Sequence, residues 1–189
     1  DVTLFGIGLG PGDPELLTVR GKRRLEAAPV VYAPGRIAES LATNYVPADR
    51  VTRLEFPMTD DPDVLREAWE DAASTVAPLA RDEDVAFVTI GDPNVYSTFG
   101  HIRRTIEDRY PAVDVEVIPG ISMLTAFTSA LGVEIESGTS LGVREARDGA
   151  SPTGPDRLLL LKVTDVPATH EGLNSAGYDV IYAPRLLAG

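Results

Sequence analysis

The chain contains no cysteine, which removes disulfides, a thiol nucleophile and every cysteine-ligated metal or cluster. That absence fits a reducing, cytoplasmic setting. Lysine is almost as scarce: Lys22 and Lys162 stand against fifteen arginines among the 17 basic residues. Against these are 29 acidic residues, for a net charge of −12. Nucleic-acid binding rests on basic groups meeting phosphates, so that class is excluded as a partner. No apolar run reaches the roughly 18 residues of a membrane-spanning helix, and no membrane partner is expected. The two histidines, His101 and His170, lie far apart without metal-ligand spacing, so no metal site is expected. The "GTS" at 138–140 lacks the flanking pattern of a nucleophile elbow.

What is present is 189 residues, 43% of them hydrophobic, enough for one large core or two small ones. Acid spread along the whole chain with lysine nearly eliminated resembles halophilic proteins; an ordinary acidic cytosolic protein is the alternative. The two differ in a measurable way. Repulsion between exposed carboxylates is damped as the Debye length falls from about 10 Å to about 3 Å, and excluded salts strengthen apolar burial. A halophilic chain should therefore show a melting temperature that rises with KCl well beyond physiological concentration and rises further in sulfate. A melting temperature flat from about 0.1 M to about 3 M KCl would withdraw the salt adaptation.

Apolar runs and helical spacing alternate along the chain. "VTLFGIG", "PVVYAPG", "DVAFVTIGDP", "VDVEVIPG", "RLLLLKV" and "YDVIYAPRL" read as strands. "DPELLTVRGKRRLEAA" reads as one helix, with Asp13 as N-cap, Pro14 at the first helical position, and Leu16, Leu17, Val19 and Leu25 on helical spacing. "DPDVLREAWEDAASTVAPLA" puts Leu65, Trp69, Ala72, Ala73 and Val76 on one face. "RIAESLATNYV", "YSTFGHIRRTIEDRY" and "ISMLTAFTSALGV" complete the helices, and "EIESGTSLGVREARDGASPTGPD" reads as loop. Strands alternating with helices predict an α/β fold with a mostly parallel sheet. A boundary near residue 118 separates an N-terminal α/β domain, 1–117, from a C-terminal one, 118–189. The second piece is small and stops soon after a strand, so further C-terminal strands are expected to be missing from this sequence.

Several strands end in tight Gly/Pro turns: "GLGPGDP", "YAPG", "IGDP" and "IPGIS". In open α/β sheets ligands bind outside the carboxyl ends of the strands, and glycine lets backbone approach them closely. A dinucleotide loop fails, because the third glycine of G-x-G-x-x-G is Pro11 counted from Gly6 and Asp13 counted from Gly8. Pro11 removes an amide donor, and Asp13 and Asp92, placed at helix starts, would repel a phosphate from the ends that otherwise attract it. The turns suit a ligand without phosphate and with positive charge. S-adenosylmethionine, with its sulfonium and ammonium, has that chemistry; helix capping alone is the competing explanation.

"GIGLGPGDPELLT", "FVTIGDPNVYSTF" and "VIPGIS", in this order, resemble the tetrapyrrole methylases, the S-adenosylmethionine-dependent methyltransferases of cobalamin and sirohaem synthesis. "VYAPG", "PMTDDPDVLREAW", "GDPNVYSTFGHI" and "LLLLKVTDVPATH" are most similar to the C20-methyltransferases that act on precorrin-2 or cobalt-factor II. The resemblance covers essentially the whole chain. It implies a homodimer of two α/β domains, a cofactor cleft between the domains, and a second domain longer than the one present here. It further implies that Pro11 borders the tetrapyrrole. Ile90, Gly91, Asp92 and Val95 would hold the methionine portion and ribose, and Ser122 and Met123 would continue that contact. Leu161 falls where many members carry a Met beside the adenine, and Ala183 and Pro184 fall near a further adenosine-contacting strand.

Methyl transfer from a sulfonium requires alignment and exclusion of water, with no covalent enzyme intermediate and no metal. A group to take the proton leaving C20 is not identified by sequence; Asp13, Tyr96 and Asp92 are the candidates. The eight carboxylates of the substrate need local cations in an acidic chain. Arg36, Arg103, Arg104, Arg144 and Arg147 lie near turn sequences and offer bidentate pairing.

Overall fold

Both faces of a parallel sheet must be covered by helices, and the alternation of buried side chains shows how that is achieved. In a computed structural model that describes residues 2–146 and 154–183, the elements run β1 (Thr3–Gly8), α1 (Val19–Ala27), β2 (Val30–Pro34), α2 (Gly35–Ala42), β3 (Val51–Leu54), α3 (Pro62–Leu79), β4 (Val85–Thr89), α4 (Phe99–Arg109), β5 (Asp114–Ile118), α5 (Met123–Leu131), β6 (Leu141–Glu145), β7 (Arg157–Leu161) and α6 (Val166–Ser175). The first five strands form one sheet in the order β3-β2-β4-β1-β5, every pair parallel. β6 and β7 form a separate parallel pair.

Successive strand residues point to opposite faces. Phe5, Ile7, Leu9, Val31, Ala86 and Val88 therefore share one core with Leu25 of α1 and Ala38 and Ala42 of α2. Leu4, Tyr32, Val85 and Phe87 share the other with Ala72, Ala73, Val76 and Ala77 of α3 and Phe99, Ile102 and Ile106 of α4. The Phe87 and Phe99 rings lie 5.4 Å apart, and burial of each such side chain stabilises the fold by about 1.5–3 kcal/mol.

The chain divides into two compact units between Met123 and Leu124. The first holds β1–β5 and α1–α4; the second holds β6, β7 and α6. No helix among the described residues is long and apolar enough to cross a membrane.

Several elements differ from expectation. The helix expected from Asp13 is two pieces: a short 3-10 turn, Pro14–Leu16, capped by Asp13, and α1, whose N-cap is Thr18. Leu17 is extended between them, so Val19 falls on the first turn of α1 and is exposed. β3 lies in a stretch without a strand signal, because it is a four-residue edge strand with Thr52 and Arg53 exposed. β6 sits inside the segment read as loop. Tyr178–Ala183, expected as a strand, is not one. It forms no ladder with any described strand, and Ile181 and Tyr182 are exposed. It is held by side chains instead, with the Tyr178 hydroxyl donating to Pro155 O at 2.6 Å.

Candidate functional site

β1 and β4 are neighbours, yet α1 and α4, which follow them, cover opposite faces. Such a switch opens a crevice beyond the carboxyl ends of the two strands. Three of the expected turns meet there. Gly91, two residues past β4, makes an isolated antiparallel bridge with Gly10, past β1. Gly91 N donates to Gly10 O at 2.6 Å, and Gly10 N donates to Gly91 O at 3.3 Å. The turn past β5 closes on the same point. A Cβ on Gly120 would lie 2.1 Å from Gly91 O, and one on Gly8 would lie 2.6 Å from the Gly120 backbone.

The three glycines serve different needs. Gly8 and Gly120 leave space for one another's backbone. Gly91 has φ +69°, where an L side chain is strained, but a Cβ there would make only ordinary van der Waals contact, with the nearest atoms of Ile121, Ser122 and Met123 at 4.0 Å.

Asp92 ties the turns together. One carboxylate oxygen accepts from Asn94 N at 2.8 Å and the other from Gly120 N at 3.1 Å. This corrects its assignment to the start of a helix: α4 begins at Phe99, after Thr98, and the Ser97 hydroxyl accepts from Phe99 N at 3.1 Å. Ser97 Oγ also lies 2.9 Å from the buried Thr89 hydroxyl at the end of β4. Asp13 accepts from Glu15 N at 2.8 Å. The signal for Asp92 as a clamp is absent from the local sequence, because Gly120 lies 28 positions away.

Of the expected ligand residues, Gly91, Asp92, Ser122 and Met123 converge at this point. Pro11 is buried in the first turn, between Gly10 at φ +79° and Gly12 at φ +138°. Ile90 packs partly against the core shared with α1 and α2, while Val95, two residues on from Pro93, is exposed. Leu161 ends β7 in the second unit, and its carbonyl accepts from Ala146 N at 2.9 Å. Ala183 lies in the non-strand segment of that unit. Pro184 lies outside the described residues, as does Arg147.

The candidate cations differ in their surroundings. Arg36 is exposed on the first turn of α2, just past β2, with no ion-pair partner among the described residues. Arg103 faces Glu107, and Arg104 donates to His101 Nδ1 at 3.0 Å. His101 stacks on Trp69 with ring centroids 3.8 Å apart, and burial, then the Arg104 charge, hold its pKa below the ordinary histidine value. His170 lies 2.6 Å from the Tyr182 hydroxyl and 2.8 Å from the Asn174 amide nitrogen. Tyr96 adopts φ +49° and is exposed.

Most large apolar side chains exposed in the first unit lie in the segments that leave the carboxyl ends of the strands, the rim that also carries the turns. Val19 follows β1, Ile37 follows β2, Met58 and Val64 follow β3, and Val95 and Tyr96 follow β4.

The open parallel sheet, with its switch point between β1 and β4, is an α/β scaffold of the kind that binds ligands beyond the carboxyl ends of its strands, and comparison with known proteins narrows it. Residues 3–175 match the family model described as tetrapyrrole (corrin/porphyrin) methylases, and the chain belongs to that family. It is 35% identical over 141 residues to a probable cobalt-precorrin-2 C(20)-methyltransferase of Methanocaldococcus jannaschii, covering 71% of this chain and 60% of that protein. It is 30% identical to a cobalt-precorrin-2 C(20)-methyltransferase of Salmonella typhimurium, covering 85% of this chain and 72% of the relative. Among solved structures, the uroporphyrin-III-C-methyltransferase of Thermus thermophilus superposes with a TM-score of 0.64 at 27% identity, covering 84% of this chain and 67% of that one. The chain thus spans 60% of the length of the Methanocaldococcus relative.

Proposed function

We propose that this protein transfers a methyl group from S-adenosylmethionine to C20 of precorrin-2 or cobalt-factor II in corrin synthesis, working as a homodimer. The observation that carries this reading is the use of the turn amides. Gly10 N and Gly91 N are bonded to each other's carbonyls, and Gly120 N to Asp92. A phosphate at a glycine turn needs such amides free; here they are spent within the protein. A ligand of the phosphate-free kind fits, and Gly91 presents bare backbone to it beside Ser122 and Met123.

S-adenosylmethionine supplies an electrophilic methyl on a sulfonium when bound. The chain's own part is to hold and orient. Gly91, Ser122 and Met123 would border the methionine portion, with Leu161, Ala183 and Pro184 assigned to the adenosine. The apolar rim from Val19 to Tyr96 suits the broad face of a reduced tetrapyrrole and would exclude water from the reacting carbon. Arg36, exposed beside that rim and without an ion-pair partner among the described residues, suits a substrate carboxylate. Support for C20 over other positions comes from the relatives of that name and from "PMTDDPDVLREAW" and "YSTFGHI".

Incubation of the protein with S-adenosylmethionine and either metal-free precorrin-2 or its cobalt-containing counterpart tests the reading. The product should gain one methyl by mass, located at C20 by NMR. Methylation at another position would reassign the substrate within the family. Failure of the wild-type protein to bind S-adenosylhomocysteine at all would remove the methyltransferase reading.

A further inference from the structure

The sheet order places β1 between β4 and β5, so two turns that must act together at a ligand are not joined by any ladder. The β4 turn reaches the end of β1 through the Gly10–Gly91 bridge. The β5 turn has no such bridge: the ladder between β1 and β5 ends at Ile7 opposite Ile118. Beyond it, the Gly120 amide donates to the Asp92 carboxylate, its only hydrogen-bond partner among the described residues. A carboxylate is acceptor-only, with two oxygens able to receive N–H groups from different directions. Asp92 uses one on its own turn, at Asn94, and one across on the β5 turn.

We propose that Asp92 is a positioning residue for the methyl donor: its carboxylate fixes the spacing between the Gly91 and Ser122–Met123 walls, and its charge does not contact the ligand. The proposal rests on the function given above and changes the role of Asp92 within it. The resemblance alone implies a residue that holds the methionine portion directly. The geometry places that carboxylate instead in contact with two backbone amides, so its effect on the ligand passes through Gly120 and the residues that follow it.

The two roles make opposite demands on ligand charge. A direct contact discriminates the sulfonium of S-adenosylmethionine from the neutral thioether of S-adenosylhomocysteine, and it weakens in salt. A spacing device affects both ligands equally and is insensitive to salt. Asp92→Asn keeps one acceptor but turns NH₂ hydrogens toward the second amide; Asp92→Ala leaves both amides unmet. Calorimetric titration of both ligands into wild type and both variants, at about 0.1 M and about 1 M KCl, reads the difference, with urea unfolding run beside it.

Leaving one partly buried amide unsatisfied should weaken both ligands by about tenfold in Asp92→Asn, and by more in Asp92→Ala. The loss should be equal for the two ligands and unchanged by salt, and in turnover KM for the donor should rise while kcat at saturation is kept. The Gly120 amide, followed by hydrogen exchange without ligand, should lose protection in Asp92→Ala. A loss larger for S-adenosylmethionine than for S-adenosylhomocysteine would overturn the proposal in favour of a direct contact. Unchanged affinity per folded molecule with lowered stability would overturn it in favour of a purely structural tie. Wild type that binds neither ligand would count against the methyltransferase function itself, and the positioning role falls with it.

Discussion

Gly120→Ala should unfold or severely destabilise the first unit, whereas Gly91→Ala should cost much less. The methyl group added at Gly120 would stand 2.1 Å from Gly91 O and 2.8 Å from the Cα and carbonyl carbon of Gly8. All three obstacles are backbone atoms, Gly8 held by the β1–β4 ladder and Gly91 by its bridge to Gly10, so no rotamer change relieves them. Overpacking of this kind costs about 1–3 kcal/mol where a side chain can yield, and here the upper end or beyond is expected. A domain with a total stability of about 5–15 kcal/mol tolerates that poorly. At Gly91 the added methyl meets nothing nearer than 4.0 Å, and the cost is the strain of a positive φ, about 1–2 kcal/mol. Urea midpoints measured for both variants check the order. Equal destabilisation by the two would show that the three turns are not in contact. Gly91→Ala also separates stability from binding, because its methyl would project toward Ser122 and Met123. A folded variant with weakened S-adenosylhomocysteine binding is the expected result.

The contrast explains what the sequence reveals and what it hides. β1 and β4 are legible as apolar runs because helices cover both their faces, so nearly every residue is buried. β3 is not, because an edge strand with exposed Thr52 and Arg53 has no such run to show. Pro14 after Asp13 announces a helix start, and a helical turn does begin there. The chain nevertheless becomes extended at Leu17 and restarts at Thr18, whose hydroxyl accepts from Gly21 N at 3.1 Å and reaches Pro119 O at 3.4 Å. That second contact is with a residue 101 positions away, which no local pattern can encode. The same limit applies to the site. Glycine spacing marks three turns, but not that Gly8, Gly91 and Gly120 abut, nor that Asp92 belongs to Gly120 rather than to a helix end. Pattern locates the turns; packing determines what each glycine and carboxylate is for.

A second large effect is expected deep in the core shared with α3 and α4. Gly6 lies on β1 between Phe5 and Ile7, which face the opposite helices, so its missing side chain points toward α4. A Cβ there would lie 2.2 Å from the Phe99 ring. Phe99 is fully buried and packs on Phe87; the strand gives up a side chain so that the first residue of α4 can dock closely against it. Phe99→Ala should therefore cost about 3–5 kcal/mol, as aromatic truncations in cores do. Gly6→Ala should cost about 1–3 kcal/mol, because the obstacle is a side chain that can shift, though only by disturbing a close-packed core. The decisive measurement is the pair. In Gly6→Ala/Phe99→Leu the smaller side chain vacates the space that the new methyl requires. The double variant should be more stable than the sum of the single effects by about 0.5–3 kcal/mol, the range seen for residues in contact. Strict additivity in urea unfolding would show that Gly6 is glycine for another reason. Because α4 follows directly from the turn carrying Asp92 and Ser97, the single variants should also loosen ligand binding, and the compensated pair should restore it. Recovery of affinity together with stability would tie the docking of α4 to the shape of the crevice. Recovery of stability alone would confine Gly6 and Phe99 to the core.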